Sequence, residues 1–423
     1  MARVMKAIKY NKRKFLMVLL PALVVALALL VSRSSVAQSG DEQWNRTFGG
    51  SGWDVGFSVA QTSDGGYIVA GYTRSYGAGG NDVWLIKTNS EGNRQWSRTF
   101  GGSDWDGAYC VAQTSDGGYI VAGYTRSYDA GADDAWLIKT DSEGNEQWNR
   151  VFDGSGWDGA YCVAQTTDGG YILTGWRGSY IGRHQNDIWL IKTDSEGDEQ
   201  WNKTFGGSGY DVGYCVTQTS DGGYIVIGKT WSYGAGCYDV WLIKTDSEGN
   251  KQWNRTFGGS DWDVGNCVAQ TSDGGYIIAG RTTSYGAGAG DAWLIKTDSE
   301  GDEQWNKTFG GSGYDVGYCV TQTSDGGYII AGEARSYADS RGDAWLIKTD
   351  SEGDEQWSQT FGGLGYYDVS YSVDQTSDGG YIVTGWTRSY GAGRDSVWLI
   401  KVGVNPADST TGDKWYKTFN GFD

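Results

Sequence analysis

From residue 40 onward the chain alternates short apolar runs with polar, glycine-rich breaks, and no stretch carries the three-to-four-residue apolar spacing of an amphipathic helix. The pattern is clearest around Gln113 to Phe152, QTSDGGYIVAGYTRSYDAGADDAWLIKTDSEGNEQWNRVF. In this unit it predicts four strands, from Ala108 to Thr114, Tyr119 to Thr125, Ala135 to Thr140 and Gln147 to Phe152. The second and third, YIVAGYT and AWLIKT, are apolar on both alternating faces, so each face needs a neighbour to cover it. The fourth places Trp148 and Phe152 on one face and Asn149 and Val151 on the other, the mark of a partly solvated outer edge. Ser115-Asp116-Gly117-Gly118 and Asp141-Ser142-Glu143-Gly144-Asn145 are hairpin turns, with glycine for positive φ and aspartate for local backbone hydrogen bonds.

The unit repeats. The tyrosines of its DGGY turn fall at Tyr67, Tyr119, Tyr171, Tyr224, Tyr276, Tyr328 and Tyr381, with spacings of 52, 52, 53, 52, 52 and 53 residues. Seven up-and-down units of this size predict an all-β protein, a seven-bladed β-propeller of four-stranded antiparallel blades over residues 38–423. The outer-strand element Trp-x-x-x-Phe occurs eight times, from Trp44 to Trp415, so one copy is surplus. Either residues 43–48 or residues 414–419 complete the last blade, and the sequence leaves both open.

The paired glycines, the paired apolar strands and the Trp that follows a GN turn resemble kelch and quinoprotein-type propeller repeats. Gly144, four residues before Trp148, is similar to the Gly-to-Trp spacing of the quinoprotein motif. The whole unit resembles the repeats of uncharacterised secreted propellers of archaeal and bacterial surface proteins. The resemblance implies the fold and an extracellular address; it carries none of the cofactor-binding residues of the quinoproteins.

Residues 1–37 are of another kind: six basic residues before Phe15, an apolar run to Val31 interrupted by Pro21, then Ser35-Val36-Ala37. This is a signal peptide with cleavage expected after Ala37, the competing form being an uncleaved anchor and the only membrane contact foreseen. Without the leader's seven Lys and Arg, 27 basic residues face 52 acidic ones, a net charge of −25. Nucleic acid is therefore excluded as a partner, and a secreted or cell-surface monomer is expected. Six cysteines do not make a disulfide framework: Cys110, Cys162, Cys215, Cys267 and Cys319 share one repeat position, which should hold them beyond bonding reach, and Cys237 sits in a loop where an exposed thiol is expected.

Turns of an up-and-down blade alternate between faces, which gathers two loop sets on one side. The loops between blades contribute Trp53-Asp54, Trp105-Asp106, Trp157-Asp158, Tyr210-Asp211, Trp262-Asp263, Tyr314-Asp315 and Tyr367-Asp368. The loops between second and third strands contribute Arg74, Arg126, Arg335 and Arg388, each in Arg-Ser-Tyr. Flat aromatic surface beside carboxylate and guanidinium groups suits carbohydrate, although a residue repeated in every blade also suits packing or capping. No cofactor is expected; the aspartate ring admits Ca²⁺, a hard cation that takes oxygen ligands. With His184 the only histidine, a Ser-His-Asp triad or multi-histidine metal centre would have to be built around that residue alone. Asn45, Asn202, Asn254 and Asn306 each lie in Asn-x-Thr and are glycosylation candidates. The expectation is a non-catalytic binding or adhesion module for carbohydrate or a surface protein. The alternatives are an extracellular enzyme, glycoside hydrolase or quinoprotein-like oxidoreductase, and a purely structural surface protein.

Overall fold

A computed structural model describes residues 38–128, 133–153, 156–178, 186–337 and 341–406. The leader, His184 and the C-terminal Trp-x-x-x-Phe copy lie outside them. The described residues form seven four-stranded antiparallel sheets and no helix. In the second blade the strands are Gly107–Gln113, Tyr119–Thr125, Asp134–Thr140 and Glu146–Phe152, each within a residue or so of the spacing prediction. The propeller body is Gly40–Val404; of the second unit into which the chain divides, only the strand ends Gln38–Ser39 and Asn405–Pro406 are described.

Each blade's first strand lies beside the first strands of both neighbours, and the seventh returns to the first, so the blades form a closed ring. The strands that read as apolar on both faces are covered by adjacent blades. Leu137 and Ile120 of the second blade share a buried cluster with Leu173, Trp189 and Ile191 of the third. Burial of one such side chain is worth roughly 1.5–3 kcal/mol, and it is repeated at every blade boundary. The alternation predicted for the outer strands is clear in the fourth strand of the third blade, where Trp201, Lys203 and Phe205 are half-buried and Asn202 and Thr204 exposed.

The last blade answers the question of the surplus strand. Its sheet runs Asp368–Gln375, Tyr381–Thr387, Ser396–Pro406 and then Gln38–Phe48, so the N-terminal copy is the outer strand. Trp44 and Phe48 pack with Ile382, Val397 and Leu399 of that blade and with Val59 and Trp84 of the first. A chain of backbone-to-side-chain bonds also crosses the seam. In every blade the amide after the threonine of the TSDGG or TTDGG turn donates to the glutamine that ends the next blade's first strand, as Ser63 N to Gln113 Oε1 at 2.8 Å. Ser377 N to Gln61 Oε1, also 2.8 Å, returns the series to its start.

One feature of the blades was not foreseen. The lysine of WLIKT, WLIKV in the last blade, is buried in all seven blades although the strand read only as apolar on both faces. Lys87 Nζ donates to Asp64 of its own blade's DGG turn at 2.8 Å, to the Thr88 carbonyl at 2.8 Å and to Gln95 Oε1 at 3.2 Å. The turn must therefore come close to the lysine. A Cβ on Gly66 would lie 2.1 Å from the Thr88 carbonyl oxygen and 2.6 Å from Lys87 Nζ, which is why the second glycine is required there.

Candidate functional site

The interblade and Arg-Ser-Tyr loops meet as expected, but the structure separates the residues of each pair. All seven aspartates, Asp54, Asp106, Asp158, Asp211, Asp263, Asp315 and Asp368, have no exposed surface. Asp106 shows why: its carboxylate accepts from Thr125 Oγ1 at 2.5 Å, Ser127 Oγ at 2.5 Å, Gly102 N at 3.0 Å and Arg126 N at 3.1 Å. The same hub recurs around Asp54, Asp211 and Asp368 with minor changes. A carboxylate so enclosed ties two loops together and is turned away from solvent.

The tyrosines of Arg-Ser-Tyr are occupied as well. Tyr76 donates its hydroxyl to the Gly49 carbonyl at 3.0 Å and packs on Trp84, and Tyr128, Tyr337 and Tyr390 repeat the arrangement, as do Tyr233 and Tyr285 in the blades without the arginine. These hydroxyls are engaged although the rings stay partly exposed, Tyr76 at 44% and Tyr128 at 54%, and the arginine of the motif lies beside them.

That arginine lies over the interblade aromatics. The Arg74 guanidinium is 4.4 Å from the Trp53 ring and 4.9 Å from Trp105. Arg126 continues to Trp105 and Trp157 at 5.5 and 5.4 Å, and Arg335 joins Tyr314 and Tyr367 at 4.8 and 5.1 Å. Arg388 turns instead to Trp386, at 5.2 Å. Each guanidinium is oriented by a polar group, Asn81 for Arg74, Asp133 for Arg126 and Asp395 for Arg388 just before the third strand, and Glu333 of the second strand for Arg335. The result is a belt in which rings and cations alternate from Trp53 to Trp157 and from Tyr314 to Tyr367, with Trp262 held instead by the Tyr238 ring. Trp105, Trp157 and Trp262 remain 45, 56 and 47% exposed and Tyr210 37%, whereas Trp53, Tyr314 and Tyr367 are half-buried.

Two further groups escaped the sequence reading. Asp82, Asp134, Asp187, Asp239, Asp291 and Asp343 stand at or one residue inside the start of third strands and lie close to the next blade's buried aspartate. A Cβ on Gly101 would fall 2.5 Å from Asp82 Oδ1 and 2.7 Å from Asp106 Oδ2, so the two carboxylates close over bare glycine backbone. Where the third blade follows the second, Asp153 replaces that glycine. There the carboxylates of Asp134, Asp153 and Asp158 come within 4.8 Å of one another, the only such trio among the described residues. The three oxygens are of the kind Ca²⁺ takes, though fewer than its usual six to eight.

The second group lines the inner strands. Phe57, Tyr109, Tyr161, Tyr214, Tyr318 and Tyr371 project from the first strands, with adjacent ring centroids 4.8 to 5.1 Å apart wherever two are neighbours. Alternation alone hid them, since an apolar residue there reads as blade cover. The thiols share these strands and are closer than the repeat spacing suggested. Cys162 Sγ lies 3.9 Å from Cys215 Sγ, and each donates to a valine carbonyl of the next blade; all six cysteines are free, Cys237 half-buried among them. Of the glycosylation candidates, Asn202 and Asn306 are exposed, Asn45 and Asn254 half-buried. The amide nitrogens of Asn45, Asn202 and Asn306 donate to glutamates three residues earlier.

Two sets of aspartates give the protein a pH signature. Burial pushes the Asp82 and Asp239 carboxyls up to about 6; hydrogen bonds from Ala78 and Ala235 oppose this, and repulsion from Asp106 and Asp263 adds to it. Burial also raises the DGG aspartates, but hydrogen bonds from lysine, threonine and glycine outweigh it and hold Asp64, Asp116, Asp168, Asp221, Asp273 and Asp378 at about 2. Between about 6 and the unfolded value of 3.8, the first set holds protons in the folded chain that the unfolded chain lacks, so stability rises as pH falls through that window. The second set stabilises above 3.8 and loses its contribution as pH falls through 2. A melting temperature that climbs from pH 7 to about 4.5 and drops below about 3.5 is expected; a monotonic fall from pH 7 would contradict the assignment.

Against known proteins, no family model matches the chain. It is 29% identical over 111 residues to the regulatory protein FlaEY of Caulobacter vibrioides, a match over 23% of this chain and 12% of that protein, so the chain corresponds to a small part of the curated relative. Solved structures are similar to the chain at low sequence identity. A polysaccharide lyase, an ulvan lyase bound to a -[GlcA(1-4)Rha3S]- saccharide, aligns over 86% of this chain and 96% of its own at TM-score 0.52 and 12% identity. The WD40 domain of Neurospora crassa Pan2 aligns over 85% and 96% at TM-score 0.48 and 12% identity. The protein is a seven-bladed β-propeller.

Proposed function

We propose that the protein is a secreted or cell-surface binding module that takes carbohydrate on the belt of interblade aromatics and arginines. The carrying observation is that Trp105, Trp157 and Trp262 keep about half of their surface exposed while arginines or neighbouring rings fix their positions. Pre-set indole surface beside hydrogen-bond donors suits sugar rings, whose C–H faces stack and whose hydroxyls need oriented partners. The buried aspartates supply the scaffold of this face, and Trp53, Trp105, Trp157, Tyr210, Trp262, Tyr314, Tyr367, Arg74, Arg126, Arg335 and Arg388 its contacts. The resemblance of the repeat to those of secreted surface propellers supports an extracellular address.

Trp105→Ala and Trp262→Ala are expected to weaken oligosaccharide binding at least tenfold while lowering the melting temperature by no more than a few degrees, since both rings lie at the surface. A glycan array followed by calorimetry on both variants measures this. Unfolding without loss of binding would show that the rings serve packing.

A further inference from the structure

The seven blades differ markedly at one inner position, the sixth residue of the second strand. The first, second, third and seventh blades place Tyr72, Tyr124, Trp176 and Trp386 there, and the fourth, fifth and sixth place Lys229, Arg281 and Glu333. The aromatic collar on the first strands breaks in the same sector. Its member in the fifth blade is Asn266, whose Nδ2 donates to the Gly317 carbonyl at 2.8 Å, so no ring fills the space between Tyr214 and Tyr318.

Glu333 is accounted for within the protein: it is buried and accepts from Arg335 Nε at 2.7 Å and the Tyr367 hydroxyl at 2.6 Å. Lys229 and Arg281 are not. Among the described residues neither forms an ion pair or a hydrogen bond through its side chain; Lys229 Nζ lies 4.6 Å from the Tyr238 ring and 5.7 Å from Tyr214, and Arg281 lies 4.8 Å from Tyr314. Both are half-buried, and they are near enough to repel each other. Burial lowers the Lys229 ammonium from its ordinary range, with Tyr238 opposing and Arg281 reinforcing the shift. Two half-buried cations side by side without an acid cost stability, in a chain with 52 acidic residues from which a partner could have been drawn. Four other blades show that an aromatic residue fills the position well.

We infer that Lys229 and Arg281, at the gap that Asn266 opens in the aromatic collar, form a binding site for the anionic group of an acidic saccharide, a uronate carboxylate or a sulfate ester. The choice of a saccharide rests on the function proposed above; the anion site itself does not. Trp231 and Trp262 flank Tyr238 at centroid distances of 4.9 and 5.2 Å, so stacking surface lies beside the cations. An anion held here exchanges hydration for two charge-assisted contacts.

The test uses the full chain and the variants Lys229→Tyr and Arg281→Tyr, which install the residue found at this position in the first two blades and so keep the fold. Calorimetry with an oligogalacturonate, a sulfated carrageenan oligosaccharide and a neutral cello-oligosaccharide separates the two anion sources from the sugar platform. Each variant is expected to bind the preferred acidic probe at least tenfold more weakly and the neutral probe unchanged. Equal binding of the acidic probe by variants and parent, or equal loss of the neutral probe, overturns the proposal. A second measurement is independent of oligosaccharides: acetylation of Lys229, followed by mass spectrometry, is expected to slow at least fivefold in sodium sulfate or sodium glucuronate relative to sodium chloride. Protection with no oligosaccharide binding upholds the anion site and sinks the carbohydrate reading. Neutral-sugar binding without protection does the reverse, and absence of both sinks the two together.

Discussion

A chain that starts at Gly49 is expected to lose about 5 kcal/mol or more of stability relative to one that starts at Gln38, comparable with the whole stability of an ordinary domain. The outer strand Gln38–Phe48 supplies the closing ladder of the last blade and two aromatic side chains at the seam, Trp44 with its ring centroid 5.9 Å from that of Tyr67. Deleting a well-packed Trp or Phe side chain costs roughly 3–5 kcal/mol when fully buried and less when half-buried, as both are here. The Ser396–Pro406 strand would be left as an unpaired edge. Urea unfolding of the two chains, followed by tryptophan fluorescence, measures the difference. Equal midpoints would mean that another segment, such as residues 414–419, can complete the blade as well.

The second large effect falls on the buried aspartates. Asp106→Ala is expected to destabilise the protein by about 3 kcal/mol, because Thr125, Ser127 and two backbone amides lose a charged acceptor in a site closed to water. Ser127→Ala, which removes one donor and leaves the carboxylate three others, should cost about 1 kcal/mol. In a double-mutant cycle the pair should be non-additive, since both changes act on one network. Added Ca²⁺ should not restore the melting temperature of Asp106→Ala. A variant that melts like the parent but no longer binds a ligand would return Asp106 to the surface role that its place beside Trp105 first suggested.

The periodicity made the architecture legible, because a repeat that covers both faces of its inner strands with its own neighbours leaves few other ways to bury them. The seam was not legible: residues 43–48 and residues 414–419 carry the same apolar alternation, and only the sheet order distinguishes them. The aromatic-Asp pairs were located but not apportioned. Adjacent residues at a strand entrance point to opposite sides, so Trp105 stays at the surface while Asp106 goes inside, a distinction that residue type alone does not carry. Lys229, though it opens one of the irregular segments of the repeat, and Arg281 do not read as site residues in the sequence, because a charged residue near the end of a strand ordinarily reads as a solvated tip. Their meaning lies in the missing acid and in the missing ring at Asn266, which are absences from a three-dimensional neighbourhood.

The closing strand also sets a clock. Phe48 leaves the ribosome roughly 350 residues before Ser396, the start of the strand it must pair with, an interval of about half a minute at ~10 residues per second. For that time Trp44 and Phe48 have no partner from the last blade, while six near-identical outer-strand elements, all capable of competing for the same edge, are made between them. The risk is greatest from intermediates in which an open arc of blades pairs its free edge with another chain. The basic residue between Trp and Phe in most of the Trp-x-x-x-Phe elements, Arg46 among them, puts on each such edge a charge of the kind that disfavours edge-to-edge pairing while the circle is incomplete.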